Sequence, residues 1–112
     1  MDKKFEVIFL EEAIEFLEEL DEKAREKILY NIDKASYVND PKLFKKLTKN
    51  IWEFRTLYKK LQYRILAFWD KEDKEMTLVV TTHGFVKKTG KVPKKEINKA
   101  EKIREEYFDD KK

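Results

Sequence analysis

Between residues 51 and 86 apolar and polar side chains alternate in three successive runs separated by lysine-rich breaks, and this pattern limits the fold more than any other feature. Ile51 to Tyr58 sets Trp52 and Phe54 against Glu53 and Arg55. Gln62 to Asp70 sets Tyr63, Ile65, Ala67 and Trp69 against Arg64, Leu66 and Phe68, and Met76 to Val86 is rich in β-branched residues. Period-two runs of this length read as strands. Lys59-Lys60 and Lys71 to Lys74 are the natural turns, so the pattern predicts an antiparallel three-stranded meander whose edges are blunted by charge.

Upstream, Phe5, Val7 and Phe9 alternate with Glu6 and Ile8 in a short first strand expected to end at Leu10. From Glu11 the period becomes helical, with Ala13, Phe16, Leu17 and Leu20 on one stripe. Asp21 reads as an N-cap restarting the chain as a second helix, which carries Ala24, Ile28, Ile32 and Ala35 and fades near Asn39-Asp40-Pro41. The two helices form a helical hairpin or one bent helix. Residues 41–50 read as a basic connector. Downstream, Pro93 suits the first turn of a last helix with Ile97, Ala100, Ile103 or Arg104, and Tyr107 on its stripe. The predicted order is βααβββα over residues 1–112 as a single domain. The fold class is α+β, with a helical hairpin packed on an antiparallel sheet, a C-terminal helix, and the helices on one face.

Two Gly and two Pro in 112 residues argue against an all-β protein built on tight turns. The chain has no Cys, which excludes disulfide frameworks, thiol nucleophiles and thiolate zinc sites, and one His, too few for a His-rich metal centre. From Met1-Asp2-Lys3-Lys4 onward no apolar run suits a signal segment or a membrane span, so a soluble, cytoplasmic protein is expected. Net charge +3 conceals an asymmetry. Residues 1–40 hold 6 basic and 12 acidic side chains, residues 41–95 hold 15 and 5, and residues 96–112 hold 5 and 6. A basic block inside an otherwise acidic small chain points to a polyanion-binding face, with a solvated lysine-rich surface as the plain alternative.

If the first hairpin turns on Lys59-Lys60 alone, cross-strand partners sum to 119 and Arg55 lies directly opposite Arg64. Two facing cations call for an anion or a carboxylate between them, and Glu53, two residues from Arg55 on that face, is a local partner. In Phe85-Val86-Lys87-Lys88-Thr89-Gly90-Lys91-Val92-Pro93-Lys94-Lys95, lysines crowd the start of a helix where the macrodipole is already positive. A bound phosphate or a merely solubilising loop would each account for that. His83, the only imidazole, is expected to share a strand face with Val79, Thr81 and Phe85 and is either an acid or base or a structural side chain. Most aromatics belong to the core, and Phe85 is the stacking candidate. There is no Gly-rich phosphate loop, Ser elbow or carboxylate cluster spaced for a metal, so no metal site and no cofactor are expected.

The runs Ile51-Trp52-Glu53-Phe54-Arg55, Tyr63-Arg64-Ile65 and His83-Gly84-Phe85-Val86-Lys87-Lys88-Thr89, followed by Lys91-Val92-Pro93-Lys94-Lys95-Glu96-Ile97, resemble the phage-derived HigB-type branch of the RelE/ParE toxin superfamily. The resemblance covers nearly the whole chain. It implies a RelE-like fold and a type II toxin, neutralised by a helix-turn-helix HigA-type antitoxin, that cleaves messenger RNA without a metal, often on the ribosome. It further implies Arg55 and Arg64 as phosphate clamps, Lys87 and Lys88 as transition-state or leaving-group stabilisers, and Phe85 as a stacking residue. Glu53, His83 or a lysine of depressed pKa is left to move the proton, because arginine does not. Lys45, Lys46, Lys49, Lys91, Lys94 and Lys95 complete the RNA-binding set. ParE-like members of the superfamily, which poison DNA gyrase without cutting RNA, are the alternative.

Overall fold

The computed structural model describes residues 2–88 and 90–112, so Met1 and Thr89 of the basic loop lie outside the described residues. The elements are β1 (Glu6–Phe9), α1 (Glu11–Glu18), α2 (Glu22–Ala35), β2 (Phe44–Lys46), β3 (Trp52–Tyr58), β4 (Leu61–Asp70), β5 (Leu78–Lys87) and α3 (Lys94–Asp110). The fold is mixed α+β, with one five-stranded sheet in the order β1-β5-β4-β3-β2 and three helices. No helix among the described residues is long and apolar enough to cross a membrane.

Three features depart from the pattern-based expectation. The connector contains the short strand β2, which pairs antiparallel with β3 through Phe44↔Phe54, Lys45↔Glu53 and Lys46↔Trp52. The sheet is not wholly antiparallel, since β1 joins β5 in parallel, with Val7 opposite Val79. A parallel partner requires a long crossover, and α1, α2 and the β2 to β4 segment supply it. The helices also do not share one face. Phe5, Leu17, Ala24, Ile28, Ile32, Phe54, Tyr63 and Ile65 form one core under α1 and α2. Ile51, Leu66, Phe68, Val80 and Ala100 form a second, to which α3 adds Ile97, Tyr107 and Phe108. The central strands are apolar on both faces, so each face needs a cover.

Local chemistry sets the joints. The Asp21 carboxylate accepts from the Ala24 N–H at 2.7 Å and starts α2, which ends at Ala35 under a Ser36 cap, short of Asn39. Gly84 passes directly beneath Phe16 of α1, and a Cβ there would overlap that ring. Asp70, at the end of β4, is 1% exposed. It accepts from the Tyr107 hydroxyl at 2.7 Å and the Lys111 ammonium at 2.8 Å, tying the end of α3 to the sheet. Burial alone would raise its pKa, but the bonds from Lys111, the Glu72 N–H and Tyr107 outweigh that and hold it below the usual value.

Candidate nucleic-acid interface

The β3–β4 hairpin has a two-residue turn, with Tyr58 opposite Leu61 and both Lys59 and Lys60 at positive φ, 49° and 69°. Only such a primed turn matches the twist of the flanking strands, and lysines occupy it at a steric cost. The resulting register puts Arg55 opposite Arg64 and Glu53 opposite Leu66. Glu53, Arg55 and Arg64 therefore lie on the α3 side of the sheet, beyond the part that α3 covers.

The pair of cations is bridged by the carboxylate. Arg64 Nε lies 3.0 Å from Glu53 Oε1, and Arg55 Nε lies 3.7 Å from Glu53 Oε2. Arg64 also donates from Nη1 to the Tyr63 carbonyl at 3.1 Å and from Nη2 to Gln62 Oε1 at 2.9 Å. Glu53 is 4% exposed and Arg64 3%, whereas the Arg55 side chain retains 30%. Arg55 donates from Nη1 to the Pro41 carbonyl at 3.3 Å. The Nε atoms of both arginines and Glu53 Oε1 are buried at ion-pair distance but without hydrogen-bond alignment, which leaves part of their capacity unused. Lys42, Arg55, Leu57, Gln62 and Arg64 line a cleft of about 230 Å³ here.

Two lysines extend the charge. On β2, Lys45 stands opposite Glu53. On β5, Lys87 stands opposite Gln62, and Phe85 stands opposite Arg64. Lys87 has its pKa lowered, first by partial desolvation and then by Arg64, with Arg55 and Lys45 adding to the effect against the pull of Glu53. Four cations from four strands thus surround one carboxylate that compensates only part of their charge. Phe85 is half-buried against the α3-side core, at the border of this surface.

His83 is held elsewhere. Ile65 pairs with Gly84 and Ala67 with Thr81, so Thr82 and His83 together oppose Leu66 in a bulge. The bulge reverses the alternation. His83 consequently parts from Val79 and Thr81 and turns toward α3, with its ring 6.1 Å from that of Phe85. Its Nε2 meets Glu96 Oε1 at 3.0 Å and its Nδ1 meets Thr82 Oγ1 at 3.0 Å. A carboxylate only accepts, so Nε2 carries a hydrogen, and the one Thr82 hydroxyl hydrogen is shared between two acceptors, Nδ1 of the neutral ring and the Leu66 carbonyl at 3.3 Å. Burial lowers the His83 pKa, outweighing the bond to Glu96.

The model of phage-derived Gp49-like proteins (DUF891) matches residues 15–105, most of the chain. The chain belongs to the Gp49-like family. That family lies within the RelE/HigB-type group and consists of toxins of toxin–antitoxin systems. RelE-type toxins are endoribonucleases. No curated protein matches the sequence.

In this Gp49-like protein the remaining basic residues fall into separate places. Lys88 is exposed past the end of β5, and Lys87 donates to the Gly90 carbonyl at 3.3 Å. Lys94 and Lys95 are exposed in the first turn of α3, where Glu96 supplies the negative charge that suits a helix start. Lys91 is exposed in the loop before them. Lys46, one residue beyond Lys45, lies opposite Trp52 and lines a different cleft together with Lys49. Gln62 and Lys42 belong to the Arg55 cleft although the sequence reading gave them no role. Gln62 was within reach of it, since the register that pairs Arg55 with Arg64 puts Gln62 two residues away on the same face.

Proposed function

We propose that this protein is the toxin of a type II pair and cuts messenger RNA on the ribosome, holding the scissile phosphate over the sheet face between Arg55, Arg64 and Lys87. The observation that carries the reading is the convergence of four strand-borne cations around a single buried carboxylate, in a family of RelE-like toxins. In the proposed reaction the ribose 2′-oxygen attacks the adjacent phosphorus and the bond to O5′ breaks. A 2′,3′-cyclic phosphate and a 5′-hydroxyl result. One proton leaves the 2′-hydroxyl and one is delivered to O5′.

Arg55 and Arg64 stay protonated and stabilise the charge that grows on the phosphate oxygens. Glu53 holds both guanidiniums in place. Of these cations Lys87, with its lowered pKa, gives up its own proton most readily, and the neutral amine then takes the 2′-hydroxyl proton. Lys88 serves the leaving oxygen, and Phe85 stacks on a base. His83 has both ring nitrogens engaged and supports the β5 bulge. The reaction needs no metal and no cofactor, because the cations are supplied by the protein. Among the described residues no three His, Asp or Glu side chains gather to hold a metal ion. The family supplies an antitoxin partner, which we take to be a helix-turn-helix HigA-type protein, and the setting is the cytoplasm.

The decisive chemical test replaces the 2′-hydroxyl at one mapped cut site with hydrogen. Cleavage at that position should vanish while neighbouring sites are still cut. Persistent cleavage there would rule out the 2′-oxygen as nucleophile, and growth arrest with inhibited gyrase and intact messages would replace this reading with the ParE-like one.

A further inference from the structure

A second cationic cleft, of about 420 Å³, opens at the other end of β2, where β4 runs past the start of β3. Lys46 comes from β2, Lys49 from the following loop, Lys71 from the β4–β5 loop and Arg104 from α3. Trp52 and Trp69 complete it, their rings 5.6 Å apart and edge to face. No carboxylate lines the cleft, and none of the four cations is ion-paired among the described residues. Lys71 and Arg104 are positioned by aromatic rings instead, 5.0 Å from the Trp69 centroid and 5.2 Å from that of Phe108. Nearby Glu72 is already matched by Lys111 at 2.9 Å, and Asn50 holds Glu101.

Four unneutralised cations beside two indoles suit a ligand that carries both phosphates and π-faces. The clefts are joined by one segment, since Lys42 lines the Arg55 cleft and Lys46 lines this one. The segment turns at residues 41–43 and then runs as β2 along the outer edge of the sheet. We infer that the substrate RNA continues from the Arg55 cleft across the edge of β2 and that a flanking single-stranded nucleotide docks in the Lys46, Lys49, Lys71 and Arg104 cleft against Trp52 and Trp69. The inference rests on the reading of the protein as an RNA-cutting toxin. It adds a flanking-nucleotide subsite apart from the cutting centre.

Trp52 and Trp69 are the only tryptophans in the chain and both line this cleft, so indole fluorescence reports on it directly. The test titrates whole protein with labelled single-stranded oligoribonucleotides of increasing length, made uncleavable by 2′-O-methylation, following label anisotropy and tryptophan fluorescence together. Affinity should rise with length until both clefts are spanned, with tryptophan quenching setting in at that length. K71A/R104A should abolish the quenching, remove the length-dependent gain and reduce the salt slope by about 0.7 for each phosphate lost, while the shortest oligomers bind as before. RNA binding with no quenching at any length, or quenching unchanged in K71A/R104A, would overturn the subsite and leave the cutting centre standing. Failure to bind RNA of any length would overturn the functional reading as well. Quenching by an acidic peptide but not by RNA would assign the cleft to a protein partner.

Discussion

Arg55 and Arg64 face each other across one ladder position but differ in what they can do. Arg64 donates from its Nη atoms to Tyr63 and Gln62 and is ion-paired with Glu53 inside the protein, whereas Arg55 keeps part of its side chain in solvent. Removing one member of a buried ion pair strands the other, so Arg64→Ala should lower stability by on the order of 3 kcal/mol. Arg55→Ala should cost about 1 kcal/mol or less, the worth of a half-exposed hydrogen bond. Both should stop cleavage. Urea melts of the two variants check the contrast, and equal losses would contradict the division of labour. His83 bears on pH. Its native pKa lies below that of the unfolded chain, so the unfolded state takes up a proton first as pH falls below about 6.5. Stability should therefore decline from pH 7 toward pH 5. Denaturant titrations of His83→Gln should show a flatter profile over that window, and an unchanged slope would remove His83 as its source.

At the scale of elements, the tightest local constraint is the Lys59-Lys60 turn. Asn-Gly at these positions should raise stability by about 1 kcal/mol, since both residues sit at positive φ and that pair tolerates the left-handed region best. A thermal melt that does not move would mean the strain is relieved elsewhere. The same turn explains why the facing arginines could be read from sequence, because a two-residue loop reduces register to arithmetic. The bulge at Thr82 and His83 could not be read that way. Both residues suit a strand, and nothing in the alternation marks where a residue is inserted, so simple alternation groups His83 with Val79 and Thr81 as well as with Phe85, and only the Phe85 neighbour holds. Nor did β2 announce itself. Three residues, two of them lysines, carry little strand propensity, and pairing with β3 and burial of Phe44 hold it in place. The placement of α3 was partly open to inspection, since Leu66, Phe68 and Val80 on the second face already called for a cover.

Over the whole molecule, the glutamate-rich α1 and the mixed-charge α2 cover one side of the sheet, while the cations of the two clefts gather on the other side and around the β2 edge. The charge imbalance was visible in the sequence. Its division into two clefts was not, because alternation along β2 sends Lys45 toward Glu53 and Lys46 toward Trp52, and β2 itself was hidden. On the proposed function the Arg55 cleft cuts messages. Primer extension on cellular messages after brief induction tests it most directly, with wild type compared against the folded Arg55→Ala variant. The wild type should give discrete new 5′ ends within reading frames and the variant none. Arrested growth with no new ends in the wild type, or the same ends from Arg55→Ala, would contradict it.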